Sequence, residues 1–129
     1  MITKEITLCG KQVTVAYNYA TEIAYKNMSD EDIFDYVNQT IEAIQQGKDP
    51  DAEKSMKFIY SAMISYSEKQ KQEVPIEMEE LMNDITPTEF ATAILTIIDM
   101  RSDFYHVPAG EPEDKNPKGN RVSRTRKNV

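Results

Sequence analysis

The chain has no tryptophan, one cysteine and one histidine, and its four glycines stand singly at positions 10, 47, 110 and 119. A lone Cys9 excludes an intrachain disulfide framework, and one thiol with one distant imidazole, His106, offers no zinc-type ligand spacing. Scattered glycines exclude a phosphate-cradling loop. Histidine is the commonest general base, and His106 stands in Asp103-Phe104-Tyr105-His106 with no nucleophile patterned beside it. The chain is therefore expected not to be an enzyme and to carry no cofactor. No apolar run approaches the ~20 residues that span a bilayer, and Met1-Ile2-Thr3-Lys4-Glu5-Ile6 lacks the charged-then-apolar layout of a signal peptide. The expected setting is the cytosol, away from membranes.

What is present suits one domain. At 129 residues with 40% hydrophobic and 29% charged side chains, the chain is long enough for one core and well inside the globular range. The net charge of −7 is unevenly spread: residues 108–129 hold six Lys or Arg against three Asp or Glu, net +3, and the preceding body holds nine against nineteen, net −10. Nucleic acid repels an acidic body of this kind, so no nucleic-acid partner is expected.

Two period-2 stretches, Ile2-Ile6-Leu8 and Val13-Val15-Tyr17, flank Cys9-Gly10-Lys11 and predict a β-hairpin with Cys9 in its turn. Five helices should follow. The first runs over about 19–28 with Asn18 as its cap. The second opens on a capping box between Ser29 and Asp32, buries Ile33, Phe34, Val37, Ile41 and Ile44, and stops at Gly47. Asp49-Pro50-Asp51 starts the third, whose buried face is Met56, Ile59, Tyr60, Met63 and Ile64. The fourth covers about 76–83 around Ile76 and Leu81. Thr86-Pro87-Thr88-Glu89 is a capping box with proline at the first helical position, and the fifth helix buries Phe90, Ile94, Ile97 and Ile98. The expected architecture is mainly α (α+β): an N-terminal β-hairpin packed on a compact bundle of about five helices. Its folded part is 1–107, and a flexible basic tail, 108–129, is rich in proline, glycine and charge.

The carboxylates tempt a catalytic reading but have a structural one. Asp30, Glu31, Asp32 and Asp35 fall where a helix N-terminus stabilises anions, and Glu77, Glu79 and Glu80 read as a solvated helix face. Asp49-Pro50-Asp51-Ala52-Glu53 lacks the central glycine of a calcium loop. Seven methionines and seven tyrosines are more suggestive, because Met adapts its shape to partners and Tyr offers rigid amphipathic contact area. Met56 and Met63 fall on a buried stripe. Tyr17, Tyr25, Tyr36, Tyr66 and Tyr105 are the candidate partner-binding residues.

The order of parts resembles the tail assembly chaperones of long-tailed phages and prophages. The elements that carry the likeness are the hairpin Ile2-Thr3 and Leu8-Cys9-Gly10-Lys11-Gln12-Val13, the aromatic start Tyr17-Asn18-Tyr19-Ala20-Thr21-Glu22, the central helix Lys57-Phe58-Ile59-Tyr60-Ser61-Ala62-Met63, Thr86-Pro87-Thr88-Glu89-Phe90, and the charged tail. The resemblance implies a protein of the host cytoplasm, absent from the mature virion, that coats the tape measure protein and recruits the major tail protein, with self-association open. It supplies no catalytic residues. It also implies a longer form made by ribosomal frameshifting, and codons for Asn116-Pro117-Lys118 or Lys118-Gly119-Asn120 permit a slip heptamer. The alternative is a small nucleic-acid-associated or protein-binding regulator that uses Arg121, Arg124, Arg126 and Lys127 on phosphates. The −10 body weighs against the nucleic-acid form of it, and an enzyme with an unpatterned carboxylate site ranks last.

Overall fold

In the computed structural model, which describes residues 1–106, two strands are followed by five helices: β1 (Ile2–Leu8), β2 (Lys11–Tyr17), α1 (Tyr19–Ser29), α2 (Ile33–Gln45), α3 (Ala52–Gln70), α4 (Met78–Asp84) and α5 (Pro87–Tyr105). The strands pair antiparallel from Ile2 opposite Tyr17 to Leu8 opposite Lys11. Cys9 and Gly10 form the two-residue turn with φ of 53° and 76°. Positive φ at both positions is the turn whose twist matches the strands, and it places a non-glycine residue in the left-handed region.

A two-stranded ribbon is marginal in water and must bury a face. Ile6, Leu8, Val13, Val15 and Tyr17 supply that face, and all are buried. α3 packs on β2 and α5 on β1, while α1 packs against α3. The long α3 can sit at the centre because its inner surface is small: Ser55, Ser61, Ala62, Ser65 and Ser67 are buried beside Phe58, Ile59 and Met63. Each buried hydroxyl needs a partner. Ser61 Oγ donates to the Phe58 carbonyl, and Ser65 Oγ lies 2.8 Å from Thr21 Oγ1, with both hydroxyls reaching the Ala16 carbonyl. Thr21 also completes the capping box with Asn18, so the end of β2, the start of α1 and the middle of α3 meet at one polar node.

The helix count and the Thr86 capping box match the sequence reading, but several boundaries and faces differ. Asp32, not Ser29, caps α2, and Ser29 is the last residue of α1, its hydroxyl donating to the Tyr25 carbonyl at 2.7 Å. Asp51 rather than Asp49 caps α3. The largest difference lies in α2, where two helical stripes overlap in the sequence. The buried one is Ile33, Tyr36, Val37 and Thr40, and it leaves Phe34, Ile41 and Ile44 exposed. It wins because Tyr36 stacks between Tyr25 and Phe58, at ring-centroid distances of 5.5 and 4.6 Å, and its hydroxyl meets Ser55 at 2.7 Å. In α5, Ala93 and Met100 join Ile94 and Ile97 in the core, whereas Phe90 and Ile98 are only partly buried. In α3, likewise, Met56, Tyr60 and Ile64 are partly buried. The expected flexible tail, 108–129, lies outside the described residues.

Glu89 links the hairpin turn to the start of α5. One carboxylate oxygen accepts from the N–H of Thr86 at 3.0 Å, as a capping box requires, and also from the N–H of Cys9 at 2.9 Å; the other accepts from the N–H of Gly10 at 3.0 Å. Those hydrogen bonds, the Thr86 one first, hold the carboxyl below its usual range. A depressed carboxyl stabilises the fold above the ordinary carboxyl range and loses that contribution as pH falls through the depressed value. Glu89→Gln is therefore expected to lower the melting temperature near neutral pH and to narrow its gap to the wild type in acid. A gap independent of pH in thermal melts would refute the clasp.

Candidate functional site

Three of the five tyrosines proposed as contact residues are core. Tyr17, Tyr25 and Tyr36 are at most 1% exposed, because each ring stands on an inward face and only its hydroxyl reaches a polar partner. Tyr17 donates to Glu22 and Tyr25 to Glu31, both at 2.8 Å. A partner cannot reach these rings without unfolding the body, so they are removed from the contact surface. Tyr66 is half-buried, and Tyr105 is exposed at the end of α5. The candidate window from Asn116 through Pro117, Lys118 and Gly119 to Asn120 lies outside the described residues.

Burial is the leading cause that pushes the phenols of Tyr17, Tyr25 and Tyr36 up, with the carboxylates of Glu22 and Glu31 adding to the first two. Tyr105 is pushed up to about 12 by burial and by Glu22, whose oxygen it shares with Tyr17. Raised phenols favour the fold below the ordinary tyrosine range, near pH ~10, and that contribution is lost as pH climbs through their raised values. Phenolate absorbance is therefore expected to rise in at least two waves, the later one coincident with loss of helical circular dichroism. A single wave near ~10 with the helices intact would contradict this burial.

The residues suited to classical chemistry remain apart. Burial, followed by the charges of Glu89, Glu80 and Asp84, pushes the Cys9 thiol up, which is the opposite of activation. His106 is exposed, and its Nδ1 lies 3.2 Å from Ser102 Oγ. Among the described residues no three His, Cys, Asp or Glu side chains gather as a metal group, and no helix is long and apolar enough to cross a membrane.

The exposed apolar side chains are where the structure departs from a finished surface. Phe34, Ile41, Ile44, Met82 and Leu95 are each between 38% and 53% exposed. Ile44, Met82 and Leu95 line one open groove of about 710 Å³, whose floor includes Met56, Ile85, Phe90 and Ile94. Ile41 lies one turn before Ile44 on the same side of α2. Phe34 marks the far end, where the Arg101 guanidinium stands 5.3 Å from its ring centroid and 5.0 Å from that of Tyr105. The stripe freed when α2 buried Tyr36 thus runs from Arg101 into the groove between α2, α4 and α5. A chain that buries one apolar stripe and retains a second beside a groove carries the usual mark of a protein-binding surface.

Sequence reading assigned Phe34, Ile41 and Ile44 to the core and did not single out Met82 or Leu95. The available signal was surplus: α2 holds more apolar residues than one helical face can bury, and Leu95 adjoins Ile94 off the buried stripe of α5. Comparison with known proteins adds no relative, because no family model, no curated protein and no solved structure matches the chain.

Proposed function

We propose that this protein is a tail assembly chaperone of a long-tailed phage, a non-enzymatic holder that keeps the tape measure protein soluble and gathers major tail protein subunits around it. The observation that carries the reading is the open apolar groove on an acidic helical body. A holding protein needs exposed apolar surface to grip an aggregation-prone client and net charge to keep the complex dispersed, and here the two occur together. Hairpin, capped helices and basic tail in this order add the resemblance. Under this reading the protein acts in the host cytoplasm and leaves before the virion is complete.

Co-expression with the tape measure protein of the same phage is the direct experiment. The expected result is a soluble tape measure protein that co-elutes with this chain through ion exchange and gel filtration. A tape measure protein that stays in the pellet, with this chain eluting alone, would sink the proposal.

A further inference from the structure

The walls of the groove decide what form of chain it can take. Besides α2, α4 and α5, α3 contributes Ala52 and Met56 to the lining, and the backbone groups of a helix are already paired within it. An extended segment laid there would lose water from its own N–H and C=O groups without finding a ladder to replace it, whereas a helix brings its backbone satisfied. The exposed stripe from Phe34 to Ile44 covers about 15 Å of α2, which matches roughly three turns of a second helix.

Charge selects among helices. Asp49 lines the groove, Asp51 caps the helix that forms one wall, Asp84 adjoins Ile85, and Asp99 follows Leu95 by one turn on α5. None of these four takes part in an ion pair among the described residues. Lys48 and Arg101 are the nearby cations, and Arg101 is stacked on Phe34 and Tyr105. The charged residues of the lining itself, Lys48 and Asp49, balance, so the negative field at the groove comes from the body, which is net −10 over residues 1–107. A second copy would bring the same charge to the same face, and nucleic acid or an anionic lipid surface would be repelled. The chain's own basic segment, 115–129, has the right sign, but Val122 and Val129 are its only large apolar residues, too few to cover five exposed ones.

We infer that the groove between α2, α4 and α5 is a docking site for an amphipathic helix of a partner protein, with an apolar stripe of about three turns and lysine or arginine along its flanks. The inference rests on the holding function proposed above and names the part of a client that is gripped. Leu, Ile or Met side chains of the helix fill the space over Met56, Ile85 and Phe90, and its flanking cations face Asp49 and the acidic body around the groove.

Two synthetic helices of about 18 residues test this with the full chain: both carry Leu at helical spacing, one with Lys flanks and one with Glu flanks. The expected result is affinity at least about tenfold higher for the Lys-flanked helix in low salt, a difference that shrinks as salt is added. Methyl resonances of Ile44, Met56, Met82 and Leu95 should shift. Leu95→Asp and Ile44→Asp should each weaken binding by about tenfold or more while the thermal melt stays cooperative, and Ile23→Asp, at an exposed position of α1 outside the groove lining, should leave it unchanged. Equal affinity for the two helices, absence of binding, or loss of binding in Ile23→Asp would each overturn the site. A concentration-dependent dimer abolished by Leu95→Asp would instead give the groove to a second copy. Peptide failure alongside intact co-elution of the tape measure protein removes only this site, whereas peptide binding without co-elution removes the function and keeps the site.

Discussion

Phe58→Ala is expected to destabilise the fold by about 3–5 kcal/mol, the range for deleting a buried aromatic ring. Phe58 is fully buried at the centre of α3, with ring centroids 6.3 Å from Tyr25 and 4.6 Å from Tyr36. Its loss removes the surface on which α1 and α2 both rest. A domain of this size has a total stability of roughly 5–15 kcal/mol, so the variant would melt far below the wild type or fail to fold. Its neighbours cannot close the gap easily, because Tyr25 and Tyr36 are held by their hydroxyls at Glu31 and Ser55. A urea titration gives the number, and a change below ~1 kcal/mol would mean that the aromatic trio is not the pivot described here.

The second large effect is expected at the opposite end of the core. Leu8 is fully buried beside the hairpin turn, and Leu8→Ala should cost about 2–5 kcal/mol. Leu95→Ala, by contrast, deletes a half-exposed side chain of the groove and should fall within about 1 kcal/mol of the wild type. Measuring both in one denaturant series separates the surface that holds the fold from the surface proposed to receive a partner. If the two were equally costly, the groove would be core and its docking role would fall.

Much of the fold was legible in the residues because local and global signals agree there. Alternation around Cys9-Gly10 specifies the hairpin, and Thr86-Pro87-Thr88-Glu89 names both the first turn of α5 and its capping partner. The site was not legible for a physical reason. In α2, periodicity alone gives two stripes of similar quality, and the choice between them is made by Tyr25, Ser55 and Phe58, which arrive from other helices. Tyrosine misled the contact reading in the same way. A phenol beside a carboxylate such as Glu22 or Glu31 can be buried at little cost, so Tyr17 and Tyr25 were available to the core. Phe90 shows the reverse: it sits on a helical stripe yet ends at the edge of the groove, and its truncation should cost less than that of Phe58.

The Glu89 clasp also sets an order of events during synthesis. The hydrogen bond from the Cys9 N–H to Glu89 closes a loop of 80 residues, and the apolar face of the hairpin rests on α3 and α5, which are translated long after it. At roughly 5–20 residues per second, Leu8, Val13 and Val15 leave the ribosome several seconds before the helix that covers β1. During that interval the apolar side chains of the hairpin segment lack their native cover, and the ribbon alone is marginal in water. The native cover of β1 therefore becomes available only once α5 and Glu89 have been synthesised, so the first strands to be made are among the last to be enclosed.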